Sequence, residues 1–282
     1  MHIDRFSEVS DRYKVIFLDS YGVLINHRGL IPGVVECIAR LRAEGKHLRV
    51  LTNNAARSAQ AASRRLVKYG LPGFPPEEII TSGATTRQFL QQKVRSGKVA
   101  YLGTAAAAEY IIGAGLEAIP VAEVDMSRID DIKAIAFLDD EGYDLNTDVN
   151  RVINLLRQSQ APVVVANTDL LYPVTANDVA LATGSIARLA EYVLGRQFVK
   201  FGKPAMQMFQ LGLESVGREL TDVSLSDILM VGDTLHTDIL GGNSFGIDTA
   251  LVLSGNTRRE SAATEIQSSG IFPDYVCASI GE

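Results

Sequence analysis

Four short segments of this 282-residue chain carry side chains that could do chemistry together. Asp19 ends the apolar run YKVIFL, and Gly22 follows shortly after. A carboxylate at the mouth of a cleft could attack phosphorus and form an acyl phosphate, although an Asp there could also simply cap a turn. Thr52 and Asn53 follow a second apolar run; a hydroxyl and an amide can donate to phosphate oxygens or begin a helix. Lys203 stands between Gly202 and Pro204, a poor setting for a helix interior. Its ammonium could neutralise a phosphate and a neighbouring carboxylate; the plain alternative is a solvated loop lysine. Asp233 and Asp238 bracket the turn GDTLHTD. Carboxylate-rich, all-oxygen sites suit Mg²⁺, which takes one or two protein acids and keeps several waters, whereas a helix cap would also use Asp at such a turn.

These groups can meet only if strand ends bring them together. Residues 13–18 read as a strand buried on both faces. Pro32 and Gly33 open a helix with Val34, Ile38 and Leu41 on one face, and Gly45 ends it. A strand over 47–51, a helix over 58–69 closed by Gly70, and a short strand at Ile79 and Ile80 complete a βαβαβ order, the mark of a doubly wound parallel sheet. Ligands of such sheets bind outside the carboxyl ends of the strands, where Asp19 and Thr52 fall. A second α/β series follows: strands over 99–102, 134–138 and 162–166, and helices over 105–112, 149–156 and 186–194. Residues 228–231 and 249–253 then return to the first pattern. The expected architecture is an α/β, Rossmann-like core of residues 1–95 plus 201–282, with an α/β domain of residues 96–200 inserted into it.

Composition narrows the partners. A net charge of −6 gives none of the sequence-independent attraction of a non-specific DNA binder, although a local positive site can still bind a small anion. Tryptophan is absent and aromatics are 7%, so little suggests a stacking platform for single strands. Cys37 and Cys277 lie far apart and form no CxxC pair; a reducing, cytoplasmic setting is expected rather than a disulfide framework. The polar start MHIDRFSEVSDRYK has no apolar core of a signal peptide, and no apolar stretch nears the 18 residues of a membrane span.

In this order DxxGV, TNN, GKP and GDxxxxD resemble the four motifs of the haloacid dehalogenase (HAD) superfamily. The insert between the second and third motifs resembles that of class IIA, the NagD-like and chronophin-like phosphatases. So do EEIITSG at 77–83, ANTD at 166–169 and GDTLHTDILGGNSFGIDTALVLSG at 232–255. The resemblance implies a hydrolase acting on a small phosphorylated metabolite, a sugar phosphate or nucleotide-like molecule, through an aspartyl phosphate on Asp19. It implies Mg²⁺ held by the Asp19 carboxylate, the backbone carbonyl of Tyr21 and Asp233. Thr52, Asn53 and Lys203 would hold the phosphoryl group, and Asp238 would orient Lys203 or a metal-bound water. The electrostatic logic agrees, since a carboxylate approaches an anionic phosphate only where cations cancel the repulsion. The insert would be a cap that selects the substrate, with Asn167 and Asp169 facing the site, or else only a turn after the PVVVA strand. Dimers through the cap are common in the family resembled.

One position departs from the pattern. The usual motif is DxDG, whose second Asp protonates the leaving alkoxide and later activates water; here Tyr21 occupies its place. General acid–base help is typically worth about 10²–10⁴-fold, and a phenol with a pKa near about 10 is a poor base at neutral pH. Four explanations stand open. The substrate has a good leaving group or supplies its own acid; His236 or a cap residue moves the proton; the protein works as the metal-free dehalogenases do, which carry a tyrosine there; or it binds a ligand without turnover. Retention of Asp233 and Asp238 argues for Mg²⁺ and against dehalogenation.

Overall fold

A computed structural model describes residues 2–175 and 178–282. Along the chain the first elements are strand β1 (Val15–Leu18), helix α1 (Val34–Ala43), strand β2 (His47–Thr52), helix α2 (Ala59–Lys68), strand β3 (Ile79–Thr81) and helix α3 (Ser82–Lys93). There follow β4 (Lys98–Leu102), β5 (Glu117–Pro120), β6 (Ile132–Phe137), α4 (Thr147–Gln158), β7 (Val163–Val165), α5 (Thr183–Leu194) and β8 (Val199–Lys200). The chain ends with α6 (Met206–Val216), β9 (Ile228–Gly232), β10 (Asp248–Val252) and β11 (Tyr275–Cys277).

Two parallel sheets result. The first has the order β11-β10-β9-β1-β2-β3, with β1 at its centre. The chain moves outward from β1 through β2 to β3, then crosses back to lay β9, β10 and β11 on the other side. The carboxyl ends of β1 and β9 are therefore the topological switch point where such sheets bind ligands. The register places Leu18 beside both Val231 and Val50, so the residues just beyond these three emerge side by side. The second sheet, β8-β7-β6-β4-β5, is built wholly from strands between residues 98 and 200.

Strand burial on both faces follows from the two-residue period. Ile16 and Leu18 join one cluster with Leu229, Val231 and the α1 residues Val34, Ile38 and Leu41, while Val15 and Phe17 join another with Met208, Phe209 and Met230. The second sheet repeats the arrangement, and one of its faces includes Leu90 of α3 and Phe201. The rings of Phe89 and Phe201 lie 5.2 Å apart at that junction. Cys37 and Cys277 are both buried free thiols. Among the described residues no helix is long and apolar enough to cross a membrane.

The structure differs from expectation in places. The helix anticipated over 105–112 is α-helical only at Glu109–Ile112. Before it the backbone makes tight i→i+3 bonds (Glu109 N to Ala106 O, Tyr110 N to Ala107 O), and the Thr104 hydroxyl accepts from Ala107 N and donates to Asp139. The helix α3 carries no strong apolar stripe to announce it; it starts because Thr81 caps it, its hydroxyl accepting from Ala84 N at 3.2 Å.

Candidate active site

The ends of β1, β2 and β9 deliver Asp19, Thr52 and Asp233 to one pocket. Asp19 is held in line by its backbone N–H, which donates to Val231 O at 2.9 Å. After β9 the backbone makes a π-helical turn, Leu235–Ile239, that swings Asp238 inward; such turns recur at functional sites. Lys203, buried at 2% exposure, enters from the loop before α6. Its Nζ pairs with Asp19 Oδ1 and, at 2.7 Å, with Asp238 Oδ1.

Carboxylate oxygens of Asp19, Asp233 and Asp238 all lie within 4.8 Å of one another. Against three carboxylates stands one ammonium, which leaves two negative charges in a buried space. The titration behaviour registers that excess. Burial pushes the Asp19 carboxyl well above the usual range; Lys203 opposes this, and Asp238 and Asp233 reinforce it. Burial, then the Asp238 charge, pushes Asp233 up to about 7, against the pull of Asn256 N–H and the Thr234 hydroxyl. Burial alone would lower the Lys203 pKa, but Asp19 and Asp238 overcome it and raise it, so the ammonium stays charged.

Glycine packing fixes the acids. A Cβ on Gly22 would fall 2.0 Å from Asp233 Oδ2, and one on Gly255 would fall 1.9 Å from the same atom. Gly22 also has φ +90°, in the left-handed region. The Asp233 carboxylate is thus walled by two backbones, and it accepts from Asn256 N at 2.6 Å and from the Thr234 hydroxyl at 2.9 Å. Ser254 Oγ donates to Gly22 O at 2.6 Å and ties the β10 end to the loop after β1. Asn256 does not stand out in the sequence, where it is an ordinary loop residue, and Ser254 figures there only at the end of the 232–255 stretch, with no role given to it.

The second motif divides its labour differently from expectation. Thr52 accepts from Asn54 N at 3.2 Å and keeps its hydroxyl proton uncommitted among the described residues. The amide of Asn53, expected to donate to phosphate, is engaged elsewhere. Its Oδ1 accepts from Lys203 N at 2.6 Å and its Nδ2 donates to Lys203 O at 3.0 Å and Asp169 Oδ1 at 2.9 Å. The side chain grips the Lys203 backbone on both sides and holds the loop after β7. That loop lies against the Lys203 backbone: Thr168 Oγ1 donates to Lys203 O at 2.6 Å. Asn167 uses its side-chain oxygen within its own turn, accepting from Asp169 N, while the Asp169 carboxyl is turned toward Asn53. Burial raises the Asp169 pKa, opposed by the Asn53 hydrogen bond.

Tyr21 is half-buried and packs its ring on the cluster around Leu18 and Val50. Burial raises its phenol above the ordinary value while the Arg65 guanidinium pulls it down, so at neutral pH it is a hydroxyl donor and not a base. His236 lies exposed on the π-helical turn.

Residues 16–117 match the model of the haloacid dehalogenase-like hydrolases, and residues 200–282 match the HAD-hydrolase-like model. A solved structure from Cytophaga hutchinsonii, described as a possible sugar phosphatase of the HAD superfamily, is 45% identical. It superposes with a TM-score of 0.96 and covers 100% of this chain and 99% of its own. The chain belongs to the HAD hydrolases. Mouse chronophin is 28% identical over 95% of this chain and 90% of its own length. Chicken glycerol-3-phosphate phosphatase is 28% identical over 95% and 89%. Within the superfamily the chain falls in class IIA, with the chronophin-like proteins, and these relatives are named as phosphatases.

Proposed function

We propose that this HAD hydrolase removes phosphate from a small phosphorylated metabolite, a monoester such as a sugar or polyol phosphate, by way of an aspartyl phosphate on Asp19. The observation that carries the reading is Lys203 lodged between Asp19 and Asp238 beside the third acid, Asp233. The donor set is all oxygen, walled by glycine backbone and two charges too negative, and it fits a divalent cation of the Mg²⁺ type. Asp19, Asp233 and the Tyr21 carbonyl would hold it, and its charge would offset the repulsion between Asp19 and the incoming phosphate.

The chain's own groups do the rest. A carboxylate oxygen of Asp19 attacks phosphorus, the bond from phosphorus to the ester oxygen breaks, and the alkoxide takes a proton from water and departs as the alcohol. The Lys203 ammonium and the Thr52 hydroxyl hold the phosphoryl oxygens as charge spreads over them. Asp238 keeps Lys203 aimed, and Asn53 fixes the lysine backbone. Water then attacks the aspartyl phosphate, phosphate leaves, and the Asp19 carboxylate is restored. The 96–200 insert, resting its 167–169 loop on Asn53, acts as the cap that chooses the leaving group. A metal-free dehalogenase has no use for a third buried acid beside Lys203, which favours the phosphatase reading over that one.

The direct test is phosphate release from a panel of sugar and polyol phosphates. Release that requires Mg²⁺ and stops with EDTA is expected; halide release surviving EDTA, or no release from any monoester, sinks the reading.

The titration of Asp233 adds a second expectation. Its folded value of about 7 lies above the ordinary 3.8, so its contribution to stability is complete below pH about 4 and disappears as pH rises through 7. A cation binds the ionised form and removes that penalty. Saturating Mg²⁺, at about 100 times its Kd, should therefore raise the melting temperature by roughly 5–10 °C at pH 8 and by less than half as much at pH 5. Equal shifts at the two pH values would show that the buried acids do not gate the metal.

A further inference from the structure

A cavity of about 80 Å³ opens beside the nucleophile, and the mechanism above does not use it. Ser20 and Tyr21, the two residues after Asp19, line it together with Thr52, Asn54, Arg57 and Arg65. Its back wall is apolar, with Leu66 and Ile79. That volume is several times what one water needs.

Of the arginines in this part of the core, Arg40, Arg42 and Arg49 are each paired, with Glu44, Glu78 and Glu219, while Arg28 and Arg64 have no such partner among the described residues. Among the described residues neither Arg57 nor Arg65 has a carboxylate partner. Arg65 stacks on Tyr69, 5.4 Å from the ring centre, and donates to its hydroxyl at 3.4 Å; that contact holds the guanidinium in place and leaves its charge uncompensated. Both guanidiniums lie near enough to draw the Tyr69 phenol below its ordinary value, Arg65 through its hydrogen bond first. Arg57 is positioned by its backbone, whose carbonyl accepts from Tyr110 Oη at 2.6 Å. Arg65 shares a face of α2 with Ala62 and Leu66, which also line the cavity, and the first turn of α2 carries no acid.

We propose that Arg57 and Arg65 form a second anion site, which holds a carboxylate or a further phosphate carried on the leaving group of the substrate. The proposal rests on the phosphatase reading, because the cavity begins at the residues that follow Asp19. Guanidinium is the side chain best matched to either anion, through paired N–H donors. The substrate class that follows is a phosphate monoester with a second negative group a few bonds from the scissile oxygen. Tyr21, whose phenol stays protonated at neutral pH, lines the same cavity.

Two substrate pairs test this. Glycerol 3-phosphate and 3-phosphoglycerate differ only in a hydroxymethyl group against a carboxylate; fructose 6-phosphate and fructose 1,6-bisphosphate add a phosphate. The expected result is that kcat/KM favours the anionic member of at least one pair by about tenfold or more, and the favoured pair tells carboxylate from phosphate. Arg57→Gln and Arg65→Gln should each lower that ratio, and the double variant should bring it to near unity. The ratio is the readout, since misfolding would reduce both members alike. No preference in the parent, or a preference that survives in the double variant, overturns the site. If no monoester of the wider panel is turned over either, the phosphatase reading fails by itself. Calorimetric titration of Asp19→Asn with 3-phosphoglycerate and with fructose 1,6-bisphosphate then decides the anion site separately. Binding that weakens at least tenfold in the Arg57→Gln, Arg65→Gln background upholds it; absent or unaltered binding refutes it.

Discussion

Asp19→Asn should stop phosphate release, lowering kcat by at least about 10⁴-fold, because the covalent route loses its nucleophile. The physical interest lies in what else should happen. In the metal-free protein the Asp19 carboxyl is buried and its pKa is raised by that burial, with Asp238 and Asp233 adding to the rise. Its ionised form is a burden on the fold that Lys203 only partly offsets. Asparagine keeps the shape and removes one of the three acids, while Lys203 retains Asp238 at 2.7 Å. The variant should therefore unfold in EDTA at a temperature equal to or above that of the parent. It should also gain less from Mg²⁺, since one ligand has lost its charge. Thermal unfolding with and without Mg²⁺, beside phosphate-release assays, checks both halves. An inactive variant that is also much less stable in EDTA would mean that Asp19 serves the fold first. Lys203 is the opposite case: removing it would leave three buried acids without their cation, and a stability loss of about 3–5 kcal/mol is the usual cost of orphaning a buried charge.

Much of this arrangement could be read from the residues in order. Strands such as VIFL and ILMV announce themselves because burial on both faces demands unbroken apolar runs, and the acids that follow them stand where parallel sheets bind ligands. What the sequence hides is which side chain serves which neighbour. Asn53 looked like a phosphate donor because an amide after a strand can be one. Only the fold brings Lys203, 150 positions on, within 2.6 Å of it and converts it into a brace for the lysine. The same holds for Asn256 and Ser254, whose partners Asp233 and Gly22 are distant in sequence. The arginines of the proposed anion site were invisible for a related reason: an unpaired cation is defined by the absence of an acid in space, which no local pattern records. Elements without a periodic apolar stripe were hidden as well. The helix α3 begins from a threonine cap, and the expected helix at 105–112 shortens to one α-helical turn, Glu109–Ile112, after a run of tight turns.

Tyr21→Asp should raise the hydrolysis of esters with poor leaving groups by about 10²-fold, the lower end of what a positioned acid contributes. The argument concerns the oxygen that departs. When an alkoxide leaves a polyol phosphate it needs a proton as the bond breaks, and the Tyr21 phenol, raised in pKa by burial, is a weak acid for that task. A carboxyl in its place lies in a pocket where burial and the nearby Asp233 would hold its pKa up against the pull of Arg65, so a fraction stays protonated near neutrality. A nitrophenolate needs no such help. Hydrolysis of p-nitrophenyl phosphate should consequently change several-fold less than hydrolysis of glycerol 3-phosphate in the same variant, and the gap between the two separates proton transfer from a general change in packing. Some stability will be lost with the ring, which packs on the cluster around Leu18 and Val50, and this affects both esters equally. If the glycerol 3-phosphate rate stays flat, or the two esters change in step, then residue 21 is not where this enzyme lacks its acid. The proton must in that case come from a neutral group of the substrate itself, or from the cap, whose part-buried Asp169 carboxyl, raised in pKa by desolvation, already rests on Asn53.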